Sequence, residues 1–163
     1  MKKSPSWSFS SIKNFNNCPK QYYHLKVLKE YPMEETEAIL YGNRFHKAAE
    51  EYLRDGTELP KEFEQFKEAL DKIVEMYPGE IHCELKFALT EDLEPCDFKS
   101  REAWWRGIAD LLIIDGDRAF VVDYKTGSAK YADQGQLELM ALAVFKYFPH
   151  IRYVKAGLFF VVG

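Results

Sequence analysis

A chain of 163 residues with 47% hydrophobic and 29% charged residues has the balance of one globular domain, which excludes a disordered or fibrous polymer. The net charge is −4 but unevenly spread: residues 1–30 hold six lysines against the single acid Glu30, and the remainder carries 25 of the 26 acids. No apolar run reaches the roughly 18–20 residues of a membrane span, the start Met1-Lys2-Lys3-Ser4-Pro5 leads into no apolar segment, and Cys18, Cys83 and Cys96 form no CxxC pair, so membrane insertion, classical secretion and a zinc site are not expected and the chain reads as cytoplasmic, or as a viral protein acting in the host cytoplasm.

In chain order, Ser8 to Asn17 reads as a short helix with Ser8 or Ser10 as N-cap and Cys18-Pro19 as its stop. A second short helix is expected over Lys20 to Leu28. Thr36 to Leu53 carries Ala38, Tyr41, Phe45, Ala48, Ala49 and Tyr52 at helical spacing and stops at Asp55-Gly56. Pro60 opens a further amphipathic helix with Phe63, Phe66, Leu70, Ile73, Val74 and Tyr77 on its apolar stripe, closed by Pro78-Gly79. The character then changes. Strands are expected at Ile81 to Leu89, Ala103 to Ile114 and Arg118 to Tyr124, with a polar loop at Asp92 to Ser100 and a tight turn at Asp115-Gly116-Asp117. An apolar helix over Ala132 to Phe148 and a last strand over Tyr153 to Val162 follow. The order predicts an α/β fold with a mixed central sheet flanked by helices and a helical region before it. The almost wholly apolar last strand is expected inside the sheet. One domain is expected over residues 1–163, with residues 1–78 mainly helical and residues 79–163 forming the sheet core.

Asp110, Asp123 and Lys125 stand at the ends of otherwise apolar strands. If Gly116 and Asp117 are the central turn residues, Asp110 faces Asp123 with Cβ atoms about 4.5–5.5 Å apart. Lys125, two residues on, then shares the face of Asp123. Two carboxylates at that separation repel unless a cation lies between them, and Mg²⁺ or Mn²⁺ suits an oxygen site. If Asp115 and Gly116 are the turn centre, the register slips and the facing is lost. Spacing alone reads equally well as two strand-end acids with Lys125 as their ion-pair partner. The basic start of the chain reads on charge alone as a solvated helix or as a phosphate-facing surface.

Five short motifs occur in order: Ser8-x-Ser10 with Cys18-Pro19-x-x-Tyr22-Tyr23; Gly42-x-x-x-His46; Gly107-x-x-Asp110; Asp123-x-Lys125-Thr126-Gly127; and Gln136-Leu137. Together they resemble the RecB/AddB-like exonuclease branch of the PD-(D/E)XK nucleases, which is related to the CRISPR-adaptation exonucleases. The resemblance covers about residues 8 to 142 and implies a restriction-endonuclease-like core. It implies His46, Asp110 and Asp123 as ligands of Mg²⁺ or Mn²⁺, with the Tyr124 backbone carbonyl as a fourth. Lys125 would orient water and stabilise charge on the phosphate, and Gln136 would reach Lys125 or the substrate. Glu84 is a further acid near a second metal, or simply a polar residue on an alternating face with Lys86. Glu50, one helical turn after His46, is expected to order that histidine. Ser8, Ser10, Lys13, Lys20, Tyr22 and Tyr23 on the basic segment, with Arg106, Lys130 and Tyr131 beside the motifs, are the expected DNA contacts.

Two departures stand out. Met140 occupies the place where the last motif usually has tyrosine. No cysteine follows Cys96, so the four-thiolate iron–sulfur cluster of some relatives is not expected, and Cys18 becomes a small buried residue beside Pro19. The expected activity is metal-dependent hydrolysis of DNA, as an exonuclease on ends or single strands in replication, recombination or repair, phage-borne or otherwise, with a recombination, helicase or single-strand-binding partner. A non-catalytic DNA-binding scaffold and a structure-specific endonuclease are the alternatives, since specificity lives outside the core.

Overall fold

Ser8 stops an extended segment and starts helix α1 (Phe9–Asn17) through a reciprocal cap: its hydroxyl accepts from the Ser11 amide, and the Ser11 hydroxyl accepts from the Ser8 amide at 2.7 Å. The computed structural model describes residues 5–32, 34–127 and 134–161. Helix α2 (Pro19–Tyr22) passes directly into a π turn at Tyr23–Val27, so the second expected helix is present over nearly the expected residues but changes to π winding halfway along. Helix α3 (Glu37–Asp55) is capped by Thr36 and ends at Gly56, as its end signals predict. Pro60 opens a 3-10 turn over Lys61–Phe66 that continues as α4 (Lys67–Met76). Strands β1 (Glu80–Leu89), β2 (Trp105–Asp115) and β3 (Arg118–Lys125), helix α5 (Gln134–Tyr147) and strand β4 (Tyr153–Phe160) complete the order.

The four described strands lie in the order β1-β2-β3-β4, antiparallel in the first two pairs and parallel in the last. The expected α/β architecture with a mixed sheet is therefore present. One expectation fails: β4 is at the edge of the described sheet and not inside it. Apolar composition reports helices covering both faces of a strand, whereas its in-plane neighbour is a separate matter that composition does not encode.

Each sheet face has its own core. Phe45, Ala48 and Ala49 of α3 join Phe63, Phe66 and Leu70 against Leu111, Ile113, Val122 and Tyr124. On the other face Met140, Ala143 and Val144 of α5 pack on Phe87, Leu89, Trp105, Leu112 and Val121. Side chains two apart on a strand ordinarily share a face. Here Cys83 packs in the first core and Leu85 in the second, and Leu111 and Ala109 divide the same way. Strands β1 and β2 thus turn over together, at Glu84 and Asp110. Those two residues stand opposite each other in register, and the paired ladder skips both.

The N-terminal region is tied to β2. The Trp7 amide donates to the Trp104 carbonyl at 2.7 Å, and the Arg106 amide donates to the Trp7 carbonyl at 2.8 Å. Trp7 stacks on Tyr22 with Phe15 edge-on to both, so α1 and α2 are held beside the sheet by an aromatic knot.

Phe45 is fully buried and meets Phe63, Phe66, Tyr124 and Phe159 within about 6.3 Å between ring centroids. Phe45→Ala should lower unfolding free energy by about 3–5 kcal/mol. Urea denaturation of the two proteins measures it, and a loss under 1 kcal/mol on that roughly known scale would show that α3 is not pinned through this ring.

Candidate metal centre and active site

Asp110 is the only buried charged side chain among the described residues, 6% exposed. Its Oδ2 accepts from the Tyr124 amide at 2.7 Å, so the carboxylate stands where a ladder partner would be. Its Oδ1 is 3.1 Å from Nδ1 of His46. The same imidazole nitrogen lies 3.3 Å from Oε1 of Glu84. Ligand atoms of His46, Glu84 and Asp110 lie within 4.8 Å of one another, brought together from α3, β1 and β2.

Backbone geometry explains how Glu84 arrives there. Its φ is +52°, in the left-handed region where a side chain costs roughly 1–2 kcal/mol. This one residue turns β1 over and swings the carboxylate to the α3 side. A strained residue at a cluster of charged groups is the arrangement found where function over-determines the backbone. Tyr124 packs edge-on to His46, ring centroids 5.5 Å apart, and orients the imidazole. Burial works against a proton on His46, but hydrogen bonds to Asp110 and Glu84 outweigh it and push its pKa up. Burial pushes the Asp110 carboxyl up as well, against the pull of His46 and with the like charge of Asp123 adding to it.

The hairpin has the register that brings the two aspartates together. Asp115 pairs with Arg118, so Gly116 and Asp117 are the turn centre, and pairing continues to Leu111 opposite Val122. The next row is Asp110 opposite Asp123, and both line one small crevice with Gln136 beneath α5. Asp123, Lys125 and Gln136 form a closed ring: Lys125 Nζ lies 2.8 Å from Asp123 Oδ2 and donates to Gln136 Oε1 at 2.6 Å, while Gln136 Nε2 donates to Asp123 Oδ1 at 3.3 Å. Asp123 Oδ2 is buried without a hydrogen bond; the Lys125 ammonium is near it but off the hydrogen-bonding direction. Because the Tyr124 amide points toward Asp110, the carbonyl of the same extended residue also points to the β2 side. Carboxylate oxygens, one imidazole and an under-coordinated buried oxygen are a donor set that fits a hard divalent ion.

The family model for the PD-(D/E)XK nuclease superfamily matches residues 6–87, half of the chain. The chain belongs to the PD-(D/E)XK nuclease superfamily. No curated protein sequence matches it. Membership implies metal-dependent nuclease chemistry on DNA. The match includes His46 and Glu84 and stops before Asp110, Asp123 and Lys125, which the fold delivers to the same place.

Two motif glycines of this superfamily member have physical roles. A Cβ on Gly42 would meet Thr126 Oγ1 at 3.0 Å, so Gly42 lets the loop after Lys125 lie against α3 one turn from His46. A Cβ on Gly107 would meet the Trp105 ring at 2.4 Å and Met140 Cε at 3.3 Å. Met140, in the usual tyrosine place, is thus a buried packing residue under β2.

Other expected site residues are distributed unevenly. Ser8, Ser10 and Lys13 line a groove of about 480 Å³ together with Phe9, Arg106, Lys125 and Gln136. Arg106 also spends its guanidinium on the carbonyls of Phe98 and Ser100 and the Ser6 hydroxyl, where it fastens the loop before β2. Tyr22 is buried in the aromatic knot, while Lys20 and Tyr23 are exposed on α2 and the turn after it. Glu50 does not turn to His46; it pairs with Arg54, four residues on, because that exposed partner sits on its own side of α3. Cys18 is exposed and not buried: its sulfur accepts from the Gln21 amide at 3.4 Å as the N-cap of α2. Lys130 and Tyr131 lie outside the described residues.

Glu84→Gly and Glu84→Ala both remove the carboxylate, but only glycine relieves the left-handed backbone. The glycine variant should be the more stable of the two by about 1 kcal/mol in urea denaturation. Equal stability would mean that no strain is held at this position.

Proposed function

We propose that this protein is a Mg²⁺- or Mn²⁺-dependent deoxyribonuclease that degrades DNA strands from their ends. The observation that carries it is the convergence of His46, Glu84 and Asp110 within 4.8 Å, one strand away from the Asp123-Lys125-Gln136 ring. Asp110, Asp123, His46 and the Tyr124 carbonyl would hold the metal. Glu84, expected near a second metal or as a polar residue on an alternating face, joins them through its contact with His46. The metal, when bound, polarises the scissile phosphate and makes water a better nucleophile at neutral pH.

The chain's own groups then do the rest. Asp123 and Gln136 hold Lys125 in place, so its ammonium donates to a phosphate oxygen as negative charge accumulates there. The groove running from Lys125 and Gln136 to Ser8, Ser10 and Lys13 offers hydroxyls and a cation for the phosphates of one strand, with Phe9 and Phe98 as apolar walls for bases. A groove of this size takes a single strand, which supports action at ends; on this reading the protein works in replication, recombination or repair of DNA, alongside a helicase or single-strand-binding partner.

Linear and covalently closed single- and double-stranded DNA, incubated with Mn²⁺ and with excess EDTA, separate the readings. Loss of linear substrate with closed circles intact, abolished by EDTA, is the expected result. Cleavage of circles would make the protein an endonuclease, and binding without cleavage would make it a scaffold. Asp110→Ala should weaken Mn²⁺ binding by more than the roughly 10–100-fold that loss of an outer partner causes, as read by calorimetric titration; wild-type affinity would remove Asp110 from the ligand set.

Lys125→Ala separates chemistry from structure. An interaction stronger in the transition state acts on turnover, so single-turnover cleavage should fall on the order of 10²-fold or more while Mn²⁺ affinity changes little. Near-normal cleavage with a lowered melting temperature would make Lys125 a purely structural partner of Asp123.

A further inference from the structure

The sheet has a second concave end, away from Lys125. Where α4 stops, the hairpin ends of β3 and β4 leave one face open, and a cavity of about 560 Å³ lies there, lined by Met76, Tyr77, Pro78, Phe120, Tyr153 and Lys155 among others. That volume is within the roughly 300–1,000 Å³ of ligand pockets. Arg118 is paired in register with Tyr153, and Phe120 with Lys155, so four side chains form two adjacent rows on one face. Tyr77 closes over them, stacked on Phe120 with centroids 3.8 Å apart.

The cations at this rim are held over rings and not by acids. The Arg118 guanidinium lies 5.7 Å from the Tyr153 ring centroid, and Lys155 Nζ lies 5.3 Å from that of Tyr77. Neither is within ion-pair distance of a carboxylate among the described residues. Asp115 is the one acid lining the cavity. Beside an apolar hollow, these two cations offer positive charge to an acidic ligand. Met76 and Tyr153 are 67% and 61% exposed at its edge.

We propose that this face binds an acidic peptide segment of a partner protein, which inserts one large apolar side chain into the cavity while its carboxylates meet Arg118 and Lys155. The two requirements are separate: the hollow supplies the buried anchor, and the cations supply orientation and salt-dependent attraction. A nucleic acid strand suits the face less well. The two faces of Tyr77 are already taken by Phe120 and Lys155, and Tyr153 is covered by Arg118, so the rings offer few free surfaces for base stacking. The face lies at the start of β3, while Lys125 is at its end, so a partner docked here leaves the groove beside Lys125 open.

The probe is a fluorescein-labelled dodecapeptide of Asp and Glu with one central Phe, titrated with the full chain in buffer free of divalent metal and read by anisotropy. Controls carry Ser for the Phe, or Asn and Gln for the acids, and a twelve-residue oligothymidylate tests nucleic acid. Saturable binding of the acidic Phe peptide is expected, weakened about 10-fold or more by either control change and by Arg118→Glu/Lys155→Glu. Met76→Glu adds a negative charge at the rim without altering β3 or β4, and should weaken binding in the same direction if the double variant does not fold. No binding by the wild-type chain, equal binding by the folded variants, or tighter binding of oligothymidylate that Arg118→Glu removes would each overturn the proposal.

Discussion

The contact of the His46 imidazole with the carboxylates of Asp110 and Glu84 is the interaction on which the rest of this site depends. It joins the helical half of the chain to the sheet at the one row where β1 and β2 turn over. Regular strands would place Glu84 and Asp110 in an ordinary ladder, with one helix layer on each side. By leaving the ladder, the two residues bring a carboxylate from the sheet into reach of α3, while Asp123 stays on the α5 side. The site therefore draws on both faces of a sheet that would otherwise separate them.

This explains why strain is tolerated at Glu84. A left-handed glutamate is unfavourable by an amount comparable to one good hydrogen bond. The surrounding cores fix it in place: Phe87 and Leu89 beyond it, and Leu111 and Ile113 across from it, are all buried. The same rigidity holds the Asp123-Lys125-Gln136 ring, because β3 keeps its alternation through Tyr124 and α5 packs directly behind it. The geometry of the candidate site is thus carried on strands and two helices, and not on loops, which favours precise placement of charge.

The N-terminal region works by a different device. It has little buried surface of its own, and its order comes from Trp7, Phe15 and Tyr22 together with two backbone hydrogen bonds to β2. That attachment places the Ser8 end of α1 beside Lys125 and makes a groove where the sheet alone would present a flat edge. Tyr22, which in isolation looks like a ring for stacking bases, is consumed in building that attachment.

Elements, their order and a tight turn between β2 and β3 were determined by the sequence itself, because periodicity, caps and turn residues are local; of the two registers that turn allows, the folded hairpin chose the one with Asp115 opposite Arg118. Asp110, Asp123 and Lys125 could be brought together on that basis, and so could the place of Gly42 and His46 on one helix. The partner of Asp110 on β1 could not. The connection between β1 and β2 runs through the 90–104 segment, too long to dictate a register, so only the folded sheet shows Glu84 opposite Asp110 and strained. The edge position of β4, the exposure of Cys18 and the turning of Glu50 to Arg54 were likewise tertiary decisions: each depends on which neighbour is nearest in space, and composition reports only how apolar or polar a residue's surroundings should be.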